Sequence, residues 1–376
     1  SLTSMAHPLT LTQRAGRVLA RTAVTSFLYS WIGYRYLNVG VRKLVGATPT
    51  DVVPHPNTIP LSVAHPITNQ GLEPISFFQY DPEAQNWVTV EADTPLVHQP
   101  SFEDSFRVIS YNVLSSPEIN IWTCELARWN HILDVVLPNS NADVFMLNEV
   151  SETFWRMSME RAWVRDSFYV TDYHLNNGPR NNIIVSKVPF SFLQRETVNA
   201  RRSILAKIEP KVGAPLWLSA AHLHAKFYAH PIRRVQLDAM YEYIERTCGN
   251  DPVLIMGDLN FHDESENVNI LAPFYDVYRS LYPVPEDPET PWDEAQLGIT
   301  FDSPGNAMVA IMSPAFNLRM RLDRALFRPS TNTSGESLVP TSMDIFGKQP
   351  ISPLTPDLLP SDHYALGLDF RFQSLH

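Results

Sequence analysis

The chain has 376 residues, 44% hydrophobic and 18% charged, which excludes a disordered polymer and suffices for one large α/β body plus an extension. Two cysteines, Cys124 and Cys248, fit neither a disulfide framework nor a zinc cluster and point to a reducing, intracellular setting. The net charge of −11 argues against a protein that coats nucleic acid non-specifically, and no apolar run reaches the length of a membrane span.

Residues 1–50 form a basic arm. They hold no Asp or Glu and carry Arg14, Arg17, Arg21, Arg35, Arg42 and Lys43, a net +6 that leaves −17 for the rest of the chain. Leu9 to about Tyr36 is predicted helical, with the first three arginines on one face and Val18, Phe27, Leu28 and Trp31 offering apolar surface. An acid-free, arginine-bearing start also reads as an organelle-targeting segment, which sets the mitochondrion beside the nucleus and cytoplasm as an expected location. The plainer alternative is a basic helix packed on the body or on a partner.

Residues 51–103 follow as a proline-rich linker, with Pro54, Pro56, Pro60, Pro66 and Pro74 opposing helix. Its end, Ile75–Tyr80 and Trp87–Val90 around Asp81-Pro82-Glu83, is predicted to be a hairpin.

The body, 104–376, is a series of short β-rich runs: FRVISYNVL, DVFMLNEV, FYVTDY, NNIIVSK, SILAKIE, LWLSAAHL, VLIMGDLN, LDRALF and ALGLDFRF. Between them, Ser151–Trp163 and Pro231–Arg246 are predicted helices. The second would bury Val235, Leu237, Met240, Tyr243 and Ile244 and wet Arg233, Arg234, Glu242 and Glu245. Continuous apolar strands with few helices predict two packed sheets covered by helices on their outer faces.

Several strand exits carry polar groups suited to phosphodiester cleavage. Asn112 ends the first body strand, where its amide would hold a phosphate oxygen or serve as a turn asparagine. Glu149 follows the apolar run Val144–Leu147, an expensive place for a carboxylate unless it is paired or binds a cation such as Mg²⁺. His222 closes LWLSAAH as a phosphate contact or a capping residue; His224 lies two residues on, but no third soft zinc ligand is evident. Val253–Met256 leads into Gly257, which lets the backbone turn and presents Asp258 and Asn260, a base to orient water and a donor to phosphoryl oxygens. Asp323 sits between Arg321 and Arg324, where a structural salt bridge is the simpler reading. Ser361-Asp362-His363 precedes the last strand, with His363 a candidate cation oriented by a carboxylate such as Asp323.

In this order, YN, NEV, HL, GDLN, the Asp-bearing strand and SDH resemble the endonuclease/exonuclease/phosphatase superfamily over roughly residues 104–372. HLHAKFYAHPIRRVQLDAMYEYI, GDLN, TFDS, RMRLDRALFR and LPSDHYAL are most similar to its 5′-tyrosyl-DNA phosphodiesterase branch. The resemblance implies a four-layer α/β sandwich and a Mg²⁺-dependent phosphodiesterase, with Mn²⁺ able to substitute. It implies that Glu149 and Asp362 hold the metal and Asp258 activates water. Asn112 and Asn260 would bind oxygens, His222 the phosphate, and His363, held by Asp323, the transition state.

Departures bear on substrate more than on chemistry. Asn148 replaces the family's Gln before Glu149, Phe301 stands where the branch has Trp, and FRVISYNVLSS is closer to deadenylases. Three readings follow: a phosphodiesterase on a nucleic-acid 5′ end or protein–nucleic acid link, a deadenylase-like 3′ exoribonuclease, and a nuclease-like subunit of a mitochondrial ribonucleoprotein. An adenine-stacking cleft near Tyr173–Asn182 and Asn306–Asn317 would mark the second. The third would recruit a protein or ribonucleoprotein partner through residues 1–100.

Overall fold

Apolar residues in the body alternate between two destinations, and that alternation sets the layers. Phe106 and Val108, Val144 and Met146, and Leu254 and Met256 enter one central cluster, while Ile109, Tyr111, Phe145, Leu147, Val253 and Ile255 enter others. Side chains two apart share a sheet face, so each of these strands has one face toward a second sheet and one toward helices. The computed structural model describes residues 71–90, 105–115, 124–173, 181–198, 201–210, 215–285, 294–312, 318–332 and 335–375. All fall within the unit Ala64–His376. The predicted arm helix and most of the proline-rich linker lie outside the described residues.

In chain order the strands are β1 Leu72–Pro74, β2 Phe77–Asp81, β3 Asn86–Val90, β4 Ser105–Asn112, β5 Val144–Val150, β6 Tyr169–Thr171, β7 Asn181–Ser186 and β8 Phe190–Val198. They continue as β9 Arg201–Ile208, β10 Leu216–His222, β11 Val253–Asp258, β12 Tyr275–Asp276, β13 Phe301–Asp302, β14 Arg319–Met320, β15 Asp323–Arg328, β16 Gly335–Phe346 and β17 Ala365–Leu375. One sheet runs β1-β8-β9-β10-β11-β15-β12 and the other β16-β17-β4-β5-β7-β6-β2-β3, with β13-β14 a small ribbon. Each large sheet contains a parallel pair, β4 with β5 and β10 with β11. A parallel pair needs a crossover, and the crossovers supply outer helices.

Helix α1 (Glu125–His131), continued by a π-helical turn at Ile132–Val136, joins α2 (Glu152–Met159) and α3 (Ala162–Ser167). Trp129, Leu133, Phe154 and Val164 from these helices cover the outer face of the eight-stranded sheet. Helix α4 (His230–Thr247) covers the other sheet with Leu237, Met240, Tyr243 and Ile244. The result is the expected four-layer α/β sandwich.

Local departures have identifiable causes. The predicted helix Ser151–Trp163 starts at its Ser151 cap, whose hydroxyl accepts the Phe154 amide, but divides at Arg161. There the backbone is extended and the guanidinium reaches Asp134 at 2.9 Å. Arg233 is not on a wet face: it is fully buried and clasps Glu266 through two bonds of 2.7 and 2.6 Å, whereas Val235 is exposed. The predicted hairpin forms as β2 and β3, and through β2–β6 pairing it extends the eight-stranded sheet of the body. Asp81 accepts the Glu83 and Ala84 amides inside its turn. No helix among the described residues is long and apolar enough to cross a membrane.

Candidate active site

The inward-facing stripes turn polar at one end of the sandwich. At that end, the inward positions are His222 and Asp258, which close β10 and β11, and Asp323, which opens the antiparallel β15; strand register pairs His222 with Asp258 and Asp258 with Asp323. On the facing sheet Asn112 and Asn148 are paired across the parallel strands β4 and β5. Two short rows of polar groups thus confront each other beyond the ends of an apolar core. The amide of Asn112 crosses the gap, donating to Asp258 Oδ2 at 3.1 Å.

Asp258 lies at the centre. His222 Nε2 is 3.5 Å and His363 Nε2 3.7 Å from its Oδ2, and its Oδ1 accepts the Asn260 amide at 3.0 Å. Burial pushes its carboxyl up to about 6, reinforced by the like charge of Asp323 and opposed by His363 and the Asn112 amide. An ionised base that readily takes a proton near neutral pH is the outcome. His363 Nδ1 donates to Asp323 Oδ2 at 2.8 Å. Burial disfavours the charge on His363, but Asp323 and Asp258 outweigh it and hold the imidazole well above its ordinary range. It is therefore an imidazolium at neutral pH.

The TFDS segment explains how His363 is held. The Phe301 ring lies 5.1 Å from the imidazole, Thr300 Oγ1 accepts the Asp323 amide, and the Thr300 carbonyl accepts that of Tyr364. Asp302 points elsewhere, to Arg319 at 3.2 Å. Arg321 and Arg324, neighbours of Asp323 in sequence, bind Asp276 instead. The simpler salt-bridge reading of Asp323 with these arginines therefore fails: alternation sends Arg324 to the opposite face, and Arg321, which precedes β15, turns to Asp276 and Glu264.

Two carboxylates, Glu149 and Asp362, flank this core, and the first depends on unusual backbone. Glu149 has φ +53°, a left-handed conformation costly for a glutamate, at the point where β5 leaves register with β7. The kink turns its side chain toward the opposite sheet, where Oε1 lies 3.8 Å from His222 Nε2. Asp362 is buried beside Ser361, whose hydroxyl donates to the Asn112 carbonyl at 2.6 Å. Leu114 and Asn260 are also left-handed, at φ +51° and +53°, so strained positions collect around the site. The Asn260 side chain donates to the Leu223 carbonyl at 3.1 Å, which fixes the turn after β11.

Four acidic side chains, Glu149, Asp258, Asp323 and Asp362, meet in this mostly buried region, a donor set of hard oxygens that suits a divalent cation. Asp258, Asp323 and His363 also place ligand atoms within 4.8 Å of one another. That trio is a poor cradle, because an imidazolium bonded to Asp323 repels a cation and offers no lone pair. Glu149 and Asp362 are the two carboxylates that lie outside that trio.

Sequence reasoning overlooked the groups that tie the sheets together. Asn148, noted only as a departure, is a hub: its Oδ1 accepts the Asp258 amide at 3.1 Å, and its Nδ2 donates to Ala221 O at 3.0 Å and Asn182 Oδ1 at 2.9 Å. Asn182 opens the apolar run of β7, and extending the period-two stripe by one step would have found it. Arg128, wholly buried, ties Leu114 to Pro360 by carbonyl bonds of 3.0 and 2.8 Å, and Arg201 sits 3.4 Å from the His222 ring nitrogens. Neither has a local sequence signal, since the partners are distant carbonyls and a distant imidazole. Gly257 is dictated by the seam: with φ +152°, a Cβ there would stand 1.9 Å from the Ala221 oxygen.

The family model described as Endonuclease/Exonuclease/phosphatase matches residues 109–363. Among solved structures, D. rerio TDP2 complexed with single strand DNA product is 22% identical, covers 71% of this chain and 98% of that one, and has a TM-score of 0.55. A humanized D. rerio TDP2 gives 21% identity with the same coverage and TM-score. An endonuclease/exonuclease/phosphatase from Bacteroides vulgatus gives 14%, 72% and 100% coverage, and 0.53. At such identities the likeness is one of fold. No curated protein matches.

Proposed function

The chain belongs to the Endonuclease/Exonuclease/phosphatase family and is an enzyme of the phosphodiesterase/nuclease class, and we propose that it uses Mg²⁺ to hydrolyse a nucleic-acid 5′ phosphodiester whose leaving group is a tyrosyl side chain. The observation that carries this reading is the register-matched row His222–Asp258–Asp323 facing Asn112, which sets a buried base between two histidines. A phosphate seated there would meet donors from His222, His363 and Asn112. Asp258 takes a proton from the attacking water as its oxygen bonds to phosphorus, and the bond to the tyrosyl oxygen breaks. The 5′ phosphate stays on the nucleic acid. His363, kept cationic by Asp323, offsets charge building on the phosphoryl oxygens.

A phenol with an ordinary pKa near 10 leaves far more readily than a sugar alcohol. That agrees with a site whose cation bears on the phosphate. The likeness to D. rerio TDP2 complexed with single strand DNA product supports nucleic acid as the polymer. Mg²⁺ bound by Glu149 and Asp362 would neutralise charge on the scissile phosphate.

The test is a cleavage assay on 5′-tyrosyl DNA, 5′-tyrosyl RNA and 3′-oligo(A) RNA, with Glu149→Ala and Asp258→Ala as controls. Tyrosine release that requires Mg²⁺ and is abolished by both substitutions is the expected result. Shortening of oligo(A) alone would establish the deadenylase reading, and inactivity on every substrate that of an assembly subunit.

A further inference from the structure

Phe227 and Tyr228 stand out on the surface. They are 73% and 42% exposed, whereas the other exposed large apolar side chains among the described residues are aliphatic. Their rings lie edge to face, with centroids 5.3 Å apart. Aromatic surface left in water forfeits the burial free energy that normally removes it, so a paired exposure marks a binding surface.

The segment bearing them is built rather than loose. It leaves His222, and the Leu223 amide binds the Asp258 carbonyl at 2.9 Å. Arg233 donates to the carbonyls of His224 and Lys226 at 2.9 and 2.7 Å while its other nitrogens hold Glu266. His262 Nε2 meets the Ala225 carbonyl at 3.1 Å, and the Ala229 amide closes on Lys226 at 2.8 Å. A fully buried arginine thus pins the main chain beneath the two rings. Phe227 lies five positions beyond His222, at most about 18 Å of chain, which is within a few nucleotides of the candidate site.

We propose that Phe227 and Tyr228, with Lys226 beside them, form a base-stacking platform for the single-stranded nucleic acid that leads away from the active site. The proposal rests on the nucleic-acid reading above and specifies how the strand is held. Charge supplies the reason for stacking. With the described body part of a segment at net −17, counterion release gives little grip on a polyanion. Stacking is indifferent to net charge and contributes about five- to a hundredfold in affinity per base. Lys226 supplies a local cation for the backbone.

The experiment uses the full chain without divalent metal, and fluorescence anisotropy of labelled oligo(dT) about ten nucleotides long. Phe227→Ala/Tyr228→Ala should weaken binding at least tenfold and leave the dependence of log Kd on log salt unchanged, since no phosphate contact is removed. Phe227→Trp should bind as well as the parent, which separates loss of a ring from loss of fold. An abasic oligomer should bind parent and double variant alike. Binding by the double variant within twofold of the parent, a changed salt slope, or no binding by the parent at micromolar protein overturns the platform. These outcomes are independent of tyrosine release. Stacking without release would leave the platform and refute the tyrosyl substrate, while release with ring-insensitive binding would do the reverse.

Discussion

Replacing Asp323 by Asn keeps the side chain's shape and removes one charge from between the base and the imidazole. The ligand atoms of Asp258, Asp323 and His363 all lie within 4.8 Å of one another, and the Asp323–His363 contact is 2.8 Å. Unit charges 4 to 5 Å apart at an effective dielectric of about 20 interact by roughly 3 to 4 kcal/mol, an upper limit of about two to three pH units. The signs coincide. Without Asp323, His363 loses the anion that favours its cation, so its pKa falls; Asp258 loses a like charge that disfavours its anion, so its pKa falls too. Both limbs of a bell-shaped profile should therefore move to lower pH by about one to two units. The imidazolium loses the carboxylate that favours and orients it, and kcat should drop by about 10² to 10⁴. The assay is kcat/KM for release of tyrosine from a 5′-tyrosyl oligonucleotide, measured over roughly pH 5 to 9 at saturating Mg²⁺. A profile reduced in height with its limbs unmoved would refute the coupling, and the role given to Asp323 with it.

Two stability predictions test the packing. Gly257→Ala puts a methyl 1.9 Å from the Ala221 oxygen and presses on Asn148. It should cost about 4 kcal/mol or more, read as a lower denaturant midpoint, and a midpoint within error of the parent would contradict the seam. Glu196 is buried with Oε1 lacking a hydrogen-bond partner, and burial lifts its carboxyl to about 7, against the Ser203 hydroxyl bond. A folded-state pKa above the unfolded value means that stability from the neutral form is full below about pH 4.5 and is lost up to about pH 7. Glu196→Gln should gain roughly 2 to 3 kcal/mol at pH 8 and almost nothing at pH 4.5; equal gains at both would show that ionisation is not the cause.

The architecture was legible because continuous apolar runs such as Val253–Met256 and Val144–Leu147 leave only a strand buried on both faces. The groups at those strand ends were legible for a related reason: Asn112, Glu149, His222 and Asp258 interrupt apolar sequence where burial makes a polar side chain costly. What escaped depended on partners far along the chain. Arg233 sat among charged neighbours and was assigned to solvent, because Glu266, which permits its burial, lies beyond β11. Arg321 and Arg324 suggested partners for Asp323 until Asp276 and Glu264 were seen on the other face. The bend at Glu149 has no sequence signal, since glutamate is a poor choice for a left-handed residue.

The matched register at the mouth of the sandwich also sets how the gene can change. Asn112, His222 and Asp258 close their strands and Asn148 ends the pairing of β5 with β4, each with preceding inward residues two and four positions back. One codon inserted within any of those strands would swing its last group to the helical side and carry an apolar neighbour into the cleft. Substitution subtracts a group from the site, whereas a single-residue insertion exchanges the site for core. Length variation among descendants should therefore gather in the connections, while these strands keep their residue count even as their apolar side chains drift.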